Sequence, residues 1–271
     1  MMMKCKVCGS SSSEIFSAKI LGKYQVSYYQ CEDCQFIQTE TPYWLEEAYS
    51  SAITALDIGL LSRNLLLQEI VPKVIDELCN PKGKFVDYGG GYGVLVRLLR
   101  DKGYDFYRQD NYCQNLFANG FDVEDYDGES YELLTAFEVF EHLVDPVSEV
   151  EKMLQYASDI FFSTELVPTE RQVNPENWWY VAPEIGQHVA LYSRESLERL
   201  AARFQLKYFN YSNYHLFTKK NLSDTALRKI IIGKKILERV ALKLYRPQQK
   251  SSLLKSDFDG ILKNLRNEDI H

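Results

Sequence analysis

The sequence predicts an α/β fold: a mostly parallel sheet layered with helices and closed by an antiparallel last strand. A small cysteine-rich module precedes it and a helical tail follows. Three observations predict this. Short apolar runs alternate with helical patterns between residues 53 and 218. The apolar run Phe85-Val86 reaches Asp87 and turns through glycines 89, 90, 91 and 93 into a helical pattern carrying Val94, Leu95, Leu98 and Leu99. Two Cys-x-x-Cys pairs, Cys5/Cys8 and Cys31/Cys34, stand 22 residues apart.

Composition bounds the reading. The chain has 271 residues and is 45% apolar, enough for one core and a small appendage. No run approaches the ~20 apolar residues of a membrane span. Met-Met-Met-Lys-Cys holds no apolar signal core, so a cytoplasmic protein is expected. The net charge of -7 argues against a general nucleic-acid surface. That charge is uneven: Lys219 to Arg266 holds 13 basic and 4 acidic residues, so the body is strongly acidic.

Taken in order, the four paired cysteines come first. Six cysteines in a cytosolic chain point to metal or free thiols before disulfides. Four thiolates on two tight turns suit a tetrahedral, structural Zn2+ ion with bonds near ~2.3 Å. With Cys5, Cys8, Cys31 and Cys34 all filling ligand positions, no site stays open for catalysis. A hairpin fits the linker, with Val26 to Gln30 as the strand entering the second knuckle. Cys79 reads as packing and Cys113 as close to the glycine loop. The aromatic connector Phe36, Tyr43, Trp44 and Tyr49 reads as a docking segment. Ile53 to Leu78 reads as helical, broken near Pro72.

After the first strand and the glycine loop, the spacing departs from the dinucleotide fingerprint: its third glycine would fall at Val94. Tyr104 to Gln109 reads as the second strand, ending at Asp110, and Asn115 to Phe121 as a third. Tyr131 to Phe137 reads as the fourth. It runs into Glu138-Val139-Phe140-Glu141-His142-Leu143-Val144-Asp145-Pro146, in which Asp145 and Pro146 make a helix start. Asp159 to Thr164 reads as the fifth strand. Ser193 caps a helix through Phe204, and Leu206 to Tyr211 with Tyr214 to Thr218 form a closing hairpin.

The long segment Glu165 to Gln187 falls on the ligand side of the sheet and carries Trp178, Trp179 and Tyr180. These rings either stack on an acceptor such as a sugar face or a nucleobase, or form a satellite core under the loop. The tail from Asn221 has Leu227, Ile230, Ile231, Leu237, Val240 and Leu244 at helical spacing up to Pro247. A second short helix covers Leu253 to Leu265.

The ordered set Asp87, Gly89-x-Gly91-x-Gly93, Asp110 and the Glu138 to Pro146 run resembles the class I S-adenosylmethionine (SAM) dependent methyltransferases. The resemblance implies a Rossmann-like seven-stranded class I methyltransferase sheet and places SAM against Asp87, Tyr88, Gly89, Gly91, Asp110 and Asn111. It also sets Phe137, Glu138 and His142 at the methionine end, while Phe117 either faces the adenine or packs in the core. An acid at the position of Asp110 accepts from both ribose hydroxyls. Tyr49 or Arg63 would reach the SAM carboxylate, or else serve helix packing and a surface ion pair. With the cysteine module, Gly186 to Ser193 resembles the zinc-containing methyltransferases of nucleotide-linked deoxysugars. There His188 matches the catalytic base and Tyr192 the trailing aromatic, but Gln187 replaces a glutamate, for which Glu141 or Glu184 would stand in. The expected protein is a SAM-dependent enzyme methylating a small, sugar-type metabolite. It comprises a zinc-binding module over 1–45, a methyltransferase domain over 46–220 and a basic extension over 221–271. An RNA methyltransferase and a non-catalytic zinc-bearing interaction protein are the competing readings.

Overall fold

The computed structural model describes residues 3–50, 56–126, 128, 130–170, 173–233, 259, 260, 262 and 263. Its strands in chain order are β1 (Met3–Lys4), β2 (Ser11–Ile20), β3 (Tyr24–Cys31), β4 (Ile37–Thr39), β5 (Lys84–Tyr88), β6 (Asp105–Gln109), β7 (Leu133–Phe137), β8 (Ile160–Ser163), β9 (Ala190–Leu191), β10 (Lys207–Tyr211) and β11 (Tyr214–Thr218). The helices are α1 (Leu45–Ala48), α2 (Leu60–Leu78), α3 (Val94–Asp101), α4 (Pro146–Tyr156), α5 (Arg194–Arg203) and α6 (Ala226–Ile232).

Two sheets result. The larger has the order β10-β11-β8-β7-β5-β6. Its β5 to β8 pairs are parallel, and β11 runs antiparallel to both β8 and β10. Side chains alternate across it. Phe85, Phe106, Phe161 and Leu216 pack under α2, α3 and α6, while Val86, Leu134, Phe162 and Phe217 pack under α4 and α5. Asp145 caps α4 by accepting from Ser148 N at 3.2 Å, and Ser193 caps α5 by accepting from Ser196 N at 2.9 Å.

The described sheet has six strands where seven are predicted, because residues 115–121 form no strand. Asn115 instead closes a turn on itself. Its Oδ1 accepts from Ala118 N at 2.9 Å and its Nδ2 donates to Ala118 O at 2.7 Å. A single parallel bridge, Arg108 to Asp122, occupies the edge where that strand would lie. Pro72 also differs from expectation: it lies inside α2 without breaking it. Val71, Val74 and Ile75 around it are fully buried, and that packing outweighs the ~3 kcal/mol a mid-helix proline costs. The helix itself begins at Leu60; residues 53–55 lie outside the described residues. So does the tail helix beyond α6, including Leu237, Val240, Leu244 and most of 253–265.

The second sheet joins distant parts of the chain. Its order is β1-β2-β3-β4-β9, all antiparallel. The cysteine hairpin is β2 and β3; β4 pairs with β3 on one side and with the edge strand β9 on the other, Ile37 opposite Leu191 and Gln38 opposite Ala190. Residues Ala190–Leu191 are therefore a rung of the N-terminal sheet. Beneath it lies a third core of Ile20, Val26, Tyr28, Trp44, Trp178, Val189 and Leu191.

Candidate active site and cysteine centre

The carboxyl ends of β5, β6 and β7 open on a cleft of about 1260 Å³. Its floor is the glycine loop. Gly89, Gly91 and Gly93 all take positive φ, which only glycine adopts without strain. A Cβ on Gly89 would meet Val139 Cγ2 at 2.7 Å, so the loop sits tight against the β7 end. A Cβ on Gly91 meets nothing within 4 Å, and Gly91 lines the cleft. Side-chain-free backbone therefore faces the open space.

Two acids flank the loop. Asp87 is buried and accepts from Thr135 Oγ1 at 2.6 Å. Burial, helped by the charge of Asp110, pushes its carboxyl up to about 7, against the pull of Thr135 and Arg108. Asp110 accepts from Gly91 N at 2.9 Å through Oδ2, and from Tyr112 N and Cys113 N at 2.7 Å through Oδ1. It braces the glycine loop, and the capacity left on its two oxygens faces the cleft.

At the end of β7, Glu138 sits at φ 55, a left-handed backbone for a non-glycine residue. Ser163 Oγ donates to its Oε1 at 2.6 Å. That turn delivers Glu141 and His142 on the next 3-10 turn, Phe140–His142. Glu141 is fully buried, and burial with the Glu138 charge pushes it up to about 8. The Tyr180 and Thr164 hydroxyls lie close enough to oppose that rise, yet neither carboxylate oxygen meets a partner in hydrogen-bond geometry.

The opposite wall comes from the long loop. Val189 N donates to Glu141 O at 2.9 Å, which sets the chain on either side of that bond together. His188 Nδ1 lies 2.6 Å from the Tyr180 carbonyl, and a carbonyl only accepts; Nδ1 therefore carries the proton and Nε2 the lone pair. The His142 ring stands 5.1 Å from that of His188 at 90°, and its Nδ1 lies 3.0 Å from Tyr49 Oη. Burial lowers both imidazoles, His142 to about 3 with His188 adding to the effect. Gln187 turns away, its Nε2 donating to Ala48 O at 2.7 Å. Glu141 is thus the acid that stands beside His188.

Of the predicted site residues, Asp87, Tyr88, Gly89, Gly91, Asp110, Asn111, Phe137, Glu138, Glu141, His142, His188, Trp179 and Tyr180 line the cleft. Three do not. Phe117 is 55% exposed and outside the lining, because the Asn115 turn carries it to the surface. Trp178 is buried in the third core, the satellite-core alternative. Tyr192 is buried and donates to Phe140 O at 3.0 Å, so it props the 3-10 turn rather than facing the cleft. Tyr112 was not foreseen: its ring stacks on Tyr49 at 5.3 Å over the cleft. Its place on the Asp110 turn, just past β6, is the only signal for it.

The sequence profile of the methyltransferase domain matches residues 62–210, more than half of the chain. The chain belongs to that methyltransferase family. It is a SAM-dependent methyltransferase. Comparison with curated proteins gives no match. Among solved structures, this methyltransferase is similar to the plantazolicin methyltransferase BpumL in complex with SAH, at 12% identity over 75% of this chain and 85% of that chain, TM-score 0.44. It is also similar to magnesium protoporphyrin IX methyltransferase (ChlM) from Synechocystis PCC 6803 with bound SAH, at 12% identity over 64% of this chain and 90% of that chain, TM-score 0.43.

The cleft of the methyltransferase fits its cofactor: bare backbone at Gly91 and a braced carboxylate at Asp110 face one space large enough for an adenosyl group. When bound, SAM supplies the electrophilic methyl group. Its second centre is the cysteine cluster, whose four sulfurs lie within 4.8 Å of one another. Cys5 and Cys34 sulfurs are 3.6 Å apart, and those of Cys8 and Cys31 3.4 Å. A tetrahedral ion with ~2.3 Å bonds needs about 3.8 Å. Each knuckle repeats one turn: Cys8 N points to Cys5 Sγ and Cys34 N to Cys31 Sγ, followed by positive φ at Gly9 and Gln35. The donor set fits a structural ion of the zinc class.

Proposed function

We propose that this methyltransferase methylates a nucleophile on a small, sugar-type metabolite, with His188 as the base. The observation that carries the reading is the His188 tautomer: Nδ1 bound to the Tyr180 carbonyl leaves an unprotonated Nε2 on the cleft wall beside Glu141. The acceptor lies between Trp179, Tyr180 and the Glu138 turn, where aromatic rings can cover a sugar face. Its hydroxyl or amine gives its proton to His188 Nε2 while its lone pair takes the methyl group in line. Glu141, once ionised, stabilises the imidazolium that results.

The charge of the cleft supports an uncharged or cationic reacting group. Among the described residues its lysine and arginine are Arg63, paired with Asp57 at 2.8 Å, and Lys152, paired with Glu149 at 2.8 Å. In a nucleotide-linked sugar the phosphates would lie outside this wall. In this reading residues 1–45 hold structural Zn2+, residues 46–220 hold the transfer chemistry, and 221–271 form a basic extension, in a cytoplasmic protein.

The test is a methyl-transfer screen of nucleotide sugars, amino sugars and RNA with labelled SAM. Label in a sugar, lost in His188→Ala while SAM binding persists, is the expected result. Label in RNA alone, or full turnover by His188→Ala, overturns the reading.

A further inference from the structure

We propose that Glu141, His142 and His188 form a second metal site, taking a divalent cation of the zinc, cobalt or nickel class. One ligand atom of each residue lies within 4.8 Å of the others. Two imidazoles and a carboxylate bind such ions at roughly 2.0–2.2 Å, which sets ligand atoms about 3.5 Å apart. Closing the triangle therefore needs about 1 Å of side-chain adjustment.

An independent observation points to a ligand here. Both carboxylate oxygens of Glu141 are buried and meet no partner in hydrogen-bond geometry; the nearby Tyr180 and Thr164 hydroxyls bond to each other at 3.2 Å. Native proteins rarely leave a buried carboxylate so, and a bound cation is among the few arrangements that satisfy it. The outer contacts of the histidines agree. A ligating imidazole normally donates its second N–H to a fixed acceptor, and His188 does so to the Tyr180 carbonyl. His142 has an acceptor on either side, the Tyr49 hydroxyl at 3.0 Å from Nδ1 and the Gln187 carbonyl. Whichever nitrogen binds, the other keeps a partner. All three residues line the cleft, which gives an ion a route in.

The chemistry differs from that of the cysteine centre. Thiolates fill that site completely, whereas this one is a nitrogen–oxygen set. It has a kinetic consequence that rests on the proposed function. Nε2 of His188 cannot bind the cation and accept a proton at once, so loading the site stops proton transfer by that route. Binding itself does not depend on that reading.

The experiment uses the full chain with its cysteine centre loaded with zinc. Cobalt is titrated in, followed by visible absorbance and by metal analysis, with turnover measured on the same samples. One further equivalent per chain is expected, with the weak bands of nitrogen and oxygen ligation and no thiolate charge-transfer band. Glu141→Gln and His188→Gln should each weaken it by more than about 100-fold, beyond the 10–100-fold of an outer-contact change. Far-ultraviolet circular dichroism and SAM binding establish that the variants are folded. No further equivalent, or one that both variants retain, overturns the site. A further equivalent lost in both variants but with undiminished turnover upholds the site and removes His188 as the base.

Discussion

The indole nitrogen of Trp44 donates to the carbonyl of Gly186 at 2.8 Å, tying the connector behind the cysteine hairpin to the loop that carries His188. Gln187 Nε2 to Ala48 O adds a second tie, and the β4–β9 pairing a third. The N-terminal module therefore braces from behind the loop that forms one wall of the cleft.

Removing metal with a chelator, or replacing Trp44 by Ala, should loosen that wall first. Trp44 is 2% exposed, and losing such a ring costs about 3–5 kcal/mol. Amide hydrogens of 189–191 should exchange faster while those of β5 stay protected, as read by hydrogen exchange with mass analysis. Equal loss of protection in both strands would mean that the two sheets unfold as one.

Gly91→Ala and Gly89→Ala should part company. At Gly91 a methyl group meets no atom but enters the cleft at φ 55, so stability should fall by only about 1 kcal/mol while SAM binding is lost. At Gly89 the methyl group strikes Val139, so the melting temperature should drop as well. Calorimetry measures both, and intact SAM binding in Gly91→Ala would remove the loop from the cofactor site.

Asp110→Ala releases three backbone amides of two loops at once. Charge-assisted bonds contribute about 1.5–3 kcal/mol each, so a fall in SAM affinity of at least about 10-fold is expected from titration calorimetry. Unchanged affinity would leave Asp110 a loop brace only.

Asp87 gives a pH dependence with a defined sign. Its folded pKa of about 7 lies above the ordinary 3.8, so the folded protein binds the extra proton between those values. Stability without SAM should therefore fall as pH rises from about 4 to 7 and level off above, by up to about 4 kcal/mol. Urea midpoints across that range should lose this slope in Asp87→Asn. A wild-type midpoint that holds level across the range would show that Asp87 ionises at no cost.

Features written in adjacent residues were legible in the sequence. The cysteine knuckles, the glycine loop, the Asp145 and Ser193 caps and the closing hairpin each depend on short-range chemistry. What failed depended on packing or on side-chain geometry that residue types alone do not carry. Trp178 and Trp179 are neighbours of like type, and only the packing of the third core decides that one is buried and the other faces the cleft. Segment 115–121 looks like a strand until the Asn115 side chain is seen to close a turn. Pro72 looks like a stop until its buried neighbours are counted. Nothing near Ile37 announces Leu191, because a two-residue strand has no periodicity of its own.

That pairing also orders the birth of the protein. A ribosome releases the cysteine hairpin long before residues 190–191, so β4 leaves the exit tunnel with one side bare. An uncovered strand edge attracts other chains. The nascent module must stay soluble with that edge open until more than half of the polypeptide has followed it out, held meanwhile by its own β2–β3–β4 ladder.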